Sequence, residues 1–212
     1  MIYINPLFFA LFVERRPSDA LPERYRQYLQ CFRSHRQQST ERTKGHRRGY
    51  RKIAYIHGED TAVTRGRLTG FHQACKELGL EIPPEYITPC VYHDPDLCYK
   101  ATQKLLQLPE LPTCFLFPVD FSFIGGLNAL LESGLTIPYG KSANAVMSVM
   151  GYDGIKMARL IQLTTYSQNA AQIGRTAAAK LIHRIEEPKE FHPEQILIAG
   201  SLLEGLTVQD LT

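Results

Sequence analysis

From residue 51 onward, strand-like and helix-like stretches alternate, and this alternation constrains the fold more than any other feature of the chain. RKIAYIHG (51–58) is a short β-rich run ending on a glycine. TAVTRGRLTGFHQACKELGL (61–80) follows with Leu68, Phe71, Cys75 and Leu78 at helical spacing. Asp60 or Thr61 can cap its start, and Gly79 sits near its end. EYITPCVY (85–92) reads as a second strand whose Pro89 suits an edge or a bulge. DPDLCYKATQKLLQL (94–108) reads as a helix capped by Asp94, with Pro95 at its first position. TCFLFPVD (113–120) is a third strand, FSFIGGLNALLESGL (121–135) a third helix closed by Gly134, and AVMSVMGYD (145–153) a fourth strand.

Apolar strands separated by helices predict an α/β fold, a parallel sheet with helices on both faces. Ligands of such sheets bind beyond the carboxyl ends of the strands. Asp153 stands at one such end and Asp120 at the equivalent place after the third strand, while Glu59 and Asp60 follow the first. The alternation then breaks. LTTYSQ (163–168) is short and extended, and NAAQIGRTAAAKLIHRIEE (169–187) is a helix with Ile173, Ala177, Leu181 and Ile185 on one stripe. EQILIAGSLLEGLTV (194–208) is a strand or bent strand pair. A strand leading out, one helix and a strand leading back predict a crossover to a second lobe.

Charge divides the chain at the same place. Residues 1–52 hold 12 lysines and arginines against four acids, a net of +8, and the rest carries −5. With no sustained period of 2 or 3.6, the Arg- and Gln-rich part of residues 1–50 is expected to be mostly irregular or marginally helical. A solvated basic tail is the simpler expectation, with nonspecific nucleic-acid binding as its alternative.

The apolar run IYINPLFFALFV contains Pro6 and is short against the roughly 20 residues of a spanning helix. Arginines follow it rather than precede it, unlike a secretory leader. The five cysteines (Cys31, Cys75, Cys90, Cys98, Cys114) are odd in number and form no CxxC. Reduced thiols of a cytoplasmic protein are therefore expected, not a disulfide framework or a zinc site. The seven histidines form no HxxxH or HxH pair, and GxSxG, P-loop and GxGxxG patterns are absent. No cofactor, metal or catalytic residue is expected. Nothing fixes the separation of Asp120 and Asp153 that a glycosidase pair requires.

Six stretches, in order, resemble the effector-sensing core of the lactose-repressor (LacI/GalR) family of transcription regulators. They are GYRKIAYIHG (49–58), RGRLTGFHQACKELGL (65–80), PTCFLFPVDFSFIGGLNALLESGLTIP (112–138), SVMGYDGIKMARL (148–160), LTTYSQNAAQIGRTAAAKLI (163–182) and LLEGLTV (202–208). The resemblance implies a periplasmic-binding-protein-like type I fold, two lobes with the effector in the cleft between them. The chain then crosses between lobes near residues 49–51, 166–169 and 189–193. Residues 51–165 and 194–212 form the C-terminal lobe, and the helix at 169–187 belongs to the N-terminal lobe. Residues 1–48 are unmatched.

The resemblance also implies site residues. Arg67 matches the arginine of the family's RLxGF, with Arg65 two residues before it. Asp153 matches the aspartate of GYD, and Gln168 the glutamine after LTT. Asp120 is the second member of a pair whose first, usually asparagine, is Val119 here. Phe121 or Tyr152 supplies an aromatic face. Sugar hydroxyls both donate and accept, so an arginine fork, carboxylates and an amide suit such a ligand.

The implied partners are a small-molecule effector (a sugar or derivative), a second copy of the chain with helix 121–135 at the contact, and operator DNA. The helix-turn-helix that reaches DNA in this family is absent from this sequence, and so is most of the N-terminal lobe. The link YGKSANAVM (139–147) is longer than is usual there, and LIQLTT shorter. A cleft ligand needs both walls, so weak or absent effector binding is expected unless residues 1–48 fold into a substitute wall. The alternatives are a periplasmic-type sugar carrier and a degenerate fragment without activity.

Overall fold

A computed structural model of the chain describes residues 50–139, 147–188, 196 and 198–208. The basic segment 1–48, most of the 139–147 link and the crossing near 189–193 lie outside them. The elements are β1 (Ile53–His57), α1 (Ala62–Leu78), β2 (Ile87–Pro89), α2 (Pro95–Leu106), β3 (Cys114–Leu116), α3 (Phe123–Glu132), β4 (Ser148–Asp153), α4 (Lys156–Leu160), β5 (Thr165–Ser167), α5 (Ala170–Glu186) and β6 (Ser201–Leu203). They form one six-stranded sheet in the order β2-β1-β3-β4-β5-β6.

Strand alternation assigns the two faces. Ile53, Tyr55, Cys114, Leu116 and Met150 point one way and pack with Phe71, Ala74 and Cys75 of α1. Ala54, Ile56, Phe115, Phe117 and Val149 point the other way, against Cys98, Ala101 and Leu105 of α2, Phe123 and Leu130 of α3, and Ala158 of α4. Both faces are apolar, so both need helical cover. The direction of the crossovers supplies it. From β1 the chain steps outward to β2, then back past β1 to β3 and β4. Reversing direction under a fixed right-handed crossover moves the helices to the opposite face. The reversal lies between β1 and β3, and sheets of this kind bind ligands at the carboxyl ends of the strands beside such a reversal.

Local signals set the helix ends. Thr61 caps α1 through a 3.1 Å bond from the Thr64 amide, and Gly79 closes it in the left-handed conformation. Asp94 caps α2, with Pro95 at its first position. Gly125 lets α2 and α3 touch, because a Cβ there would overlap the Pro95 carbonyl oxygen.

Three features differ from expectation or extend it. β1 to β5 are mutually parallel, but β6 runs antiparallel to β5, so the sheet has one antiparallel edge. The reason is the return path: the chain leaves at Ser167 and re-enters at Ser201, its register partner. Pro89 ends the edge strand β2, where its missing N–H costs no ladder bond. The helical turn α4 has five residues and no capping side chain, and the sequence gives no sign of it.

α5 is set apart from the sheet, since none of its 17 residues is buried. Ile173, Leu181, Ile182 and Ile185 are exposed, Ile185 to 71%. Helices of this length are marginal in water without packing. Backbone amides of α5 are therefore expected to exchange with solvent orders of magnitude faster than those of β3. Native-state hydrogen exchange measures this directly, and equal protection would refute it.

Candidate functional site

Loops leaving β1, β2, β3, β4 and β5 converge at the carboxyl edge of the sheet. After β1 the chain passes Gly58, Glu59 and Asp60 into α1, which carries both arginines. Arg65 turns outward to Asp60 at 2.6 Å, and both side chains are largely in water. Such a pair contributes at most about 1 kcal/mol.

Arg67 turns inward. Its guanidinium carbon lies 3.8 Å from the ring centroid of Tyr152 and 5.2 Å from that of Tyr92. One of its nitrogens donates to the Pro118 carbonyl oxygen at 2.8 Å. A cation over two aromatic faces and on a strand-end carbonyl is held in one place rather than sweeping through solvent. The Tyr152 ring also stacks on Tyr166, with centroids 5.6 Å apart.

The loop after β2 supplies Tyr92 and His93. The Tyr92 hydroxyl meets Thr64 Oγ1 at 2.9 Å, and its ring covers Gly58, where a Cβ would overlap it. Its amide donates to Glu59 at 2.8 Å, and that bond holds the Glu59 carboxyl below its usual range. His93 has a positive φ of 59° and lies near Phe121, which is 42% exposed, with ring centroids 6.3 Å apart.

β4 delivers Asp153, half-buried, at a φ of 114°, followed by Gly154 at 72°. Asp153 Oδ1 accepts a short hydrogen bond from Gln168 Nε2, beyond the end of β5. Burial pushes the Asp153 carboxyl up, while the Gln168 bond, Arg67 and His93 pull it back.

Asp120 is placed differently. It is fully buried beneath these loops. Oδ1 accepts from Thr165 Oγ1 at 2.6 Å, and Oδ2 from the Ile155 amide at 2.9 Å. Its own amide donates to the Tyr152 carbonyl at 2.7 Å. Burial pushes this carboxyl up as well, against the hydrogen bonds from Thr165, Ile155 and Gly154, and the nearby charge of Asp153 adds to the rise.

Of the residues singled out in the sequence, Arg67, Tyr152, Asp153 and Gln168 thus come together, with Phe121 at the rim. Arg65 faces Asp60, and Asp120 lies underneath. Tyr92, His93 and Thr165 were not anticipated. The strand-end rule, applied to β2 as it was to β3 and β4, points to the first two. Among the described residues, no group of three or more His, Cys, Asp or Glu is placed to hold a metal ion. The arrangement offers recognition: a fixed guanidinium, a carboxylate, an amide and aromatic faces around a crevice.

The raised carboxyls predict a pH dependence. A carboxyl whose folded pKa is raised binds more protons folded than unfolded, between the unfolded value of about 3.9 and the folded one. Asp120 and Asp153 therefore contribute stability that is fully present below that unfolded value and is lost as pH rises through the folded one. Subtracting the acid-limb unfolding curve of Asp120→Asn from that of the unsubstituted chain should isolate this downward slope. A difference that is flat with pH would contradict it.

Residues 43–208 match the family described as the periplasmic binding protein-like domain. The HTH-type transcriptional repressor PurR of Escherichia coli O139:H28 is 32% identical over 166 residues, 77% of this chain and 46% of the repressor. The chain thus spans about half the length of the curated relatives it matches. A solved LacI transcriptional regulator from a Rhodococcus species superposes with a TM-score of 0.66 at 26% identity, over 77% of this chain and 57% of the other. A LacI family transcriptional regulator from Enterococcus faecium, solved with bound ribose, superposes with a TM-score of 0.68 at 23% identity, over 90% and 64%. At that identity the second likeness shows the fold.

Proposed function

The chain belongs to the periplasmic binding protein-like family, as an effector-sensing domain of the LacI/GalR kind, and from that membership we propose that it senses a small polar molecule, a sugar or sugar derivative, on behalf of a DNA-binding transcriptional regulator. One observation carries the reading. Arg67 on Tyr152, beside the Asp153–Gln168 pair, sets a donor fork, an acceptor and an amide along the carboxyl ends of the strands. Hydroxyl-rich ligands use this mixture, and the aromatic faces suit the C–H faces of a sugar ring.

In this reading the sheet is the C-terminal lobe, residues 51–165 and 194–212. The helix at 169–187 belongs to the N-terminal lobe, which the absence of any buried residue in α5 supports. The intact regulator works in the cytoplasm as a homodimer with α3 at its contact, and it carries no catalysis. Among the described residues no helix is long and apolar enough to cross a membrane. Operator DNA is reached through a helix-turn-helix outside this sequence.

With one wall of the cleft formed by the described residues, affinity in the millimolar range is expected, about −4 kcal/mol. The test is a two-dimensional amide spectrum of the whole chain titrated with D-ribose, D-glucose and cellobiose. Saturable shifts at Tyr152, Asp153 and Gln168 support the reading. A folded chain whose spectrum ignores every sugar sinks it.

A further inference from the structure

We propose that Asp120 is the positioning residue of this site: buried under the ends of β3, β4 and β5, its carboxylate ties the Asp153–Gly154–Ile155 turn to Thr165, so that Asp153 and Gln168 meet as a fixed pair. This rests on the sensing role above. It also moves Asp120 from the ligand set, where its place in the sequence put it, to the support beneath.

Four observations carry it. The side chain has no solvent exposure, so it does not touch a ligand in the crevice. Each of its oxygens serves a different strand end, Oδ1 the Thr165 hydroxyl on β5 and Oδ2 the Ile155 amide after β4. The turn it holds contains two consecutive residues at positive φ, one of them the non-glycine Asp153. Such backbone persists only where its surroundings over-determine it. Finally, Gly151 makes room, since a Cβ there would overlap Asp120 Oδ1.

Every group that Asp120 meets donates to it: the Thr165 hydroxyl on one side, the backbone N–H groups of Ile155 and Gly154 on the other. Asparagine keeps much of this, because its oxygen accepts from a backbone N–H while its NH2 donates to the Thr165 hydroxyl, which also accepts. Alanine keeps none of it. In Asp120→Ala the turn and the strand end lose their common tie, and Asp153 loses its fixed direction toward Gln168.

The experiment needs no ligand, so its failure is separable from failure of the sensing reading. In the labelled whole chain, hydrogen exchange of the Ile155 amide and the carboxyl carbon titration of Asp153 are followed in Asp120→Ala and Thr165→Val. In Asp120→Ala, Ile155 should exchange at least about tenfold faster, the factor expected for a lost charge-assisted hydrogen bond. The Asp153 titration should move, while protection at Phe115 and Val149 stays unchanged. Thr165→Val, which removes one bond and keeps the carboxylate, should show the same signs with smaller size. Unchanged Ile155 exchange and Asp153 titration in Asp120→Ala would overturn the proposal. Should that variant not fold, the milder one decides on the same two readouts: movement in Thr165→Val supports the proposal, and none refutes it.

Discussion

Phe115→Ala is expected to lower the free energy of unfolding by about 3–5 kcal/mol. Phe115 is fully buried in the centre of β3, which lies between β1 and β4. Its ring stacks with Phe117, whose ring meets Phe123 edge-on at 5.1 Å between centroids. Truncation removes a ring from a cluster fed by three helices and leaves a void that rigid sheet backbone does not close. Domains are stable by only about 5–15 kcal/mol, so this one change takes a large share. Urea unfolding should show a lower midpoint at unchanged slope. Leu160→Ala is the control: Leu160 is 83% exposed, and a change within about 0.5 kcal/mol is expected. Equal costs for the two would mean that the core is assigned to the wrong face.

Arg67→Ala is expected to weaken sugar binding by roughly one to two orders of magnitude, as loss of a charged hydrogen-bond donor does. The same change should raise the Asp153 carboxyl further, because the guanidinium is one of the groups that hold it down against burial. Arg67→Lys should recover the charge but not the affinity. An ammonium lacks the flat fork that lies on Tyr152 while one nitrogen reaches Pro118. Amide-detected sugar titration and carboxyl carbon titration measure the two effects separately. If Asp153 titrates identically with and without Arg67, the two groups are not part of one electrostatic unit.

Much of the scaffold could be read from residue order because local and global preferences agree there. Thr61, Asp94 and Gly79 do as caps what their side chains or lack of one dictate. The apolar runs of β1 and β3 must be covered on both faces. Arg67, Asp153 and Gln168 converge because strand-end residues of a parallel sheet share one edge. What stayed hidden depends on contacts distant in sequence. An aspartate after a strand looks the same whether it faces a crevice or lies beneath it, and only Thr165 and Ile155, far along the chain, decide that for Asp120. The antiparallel β6 was hidden too, because its direction follows from where the chain re-enters. Arg65 and Arg67 differ only in which way a helical turn points them, and the nearby Asp60 draws the first away.

The missing Cβ of Gly151 carries a consequence for descent. The space above its Cα is filled by the Asp120 carboxylate, so alanine at 151 collides with that group. Removing the carboxylate alone instead strands the Ile155 amide and the Thr165 hydroxyl. Neither position tolerates change while the other stands still, so lineages should inherit glycine and aspartate as a pair. Branches in which the glycine has been replaced should be those in which the acid has been replaced with it.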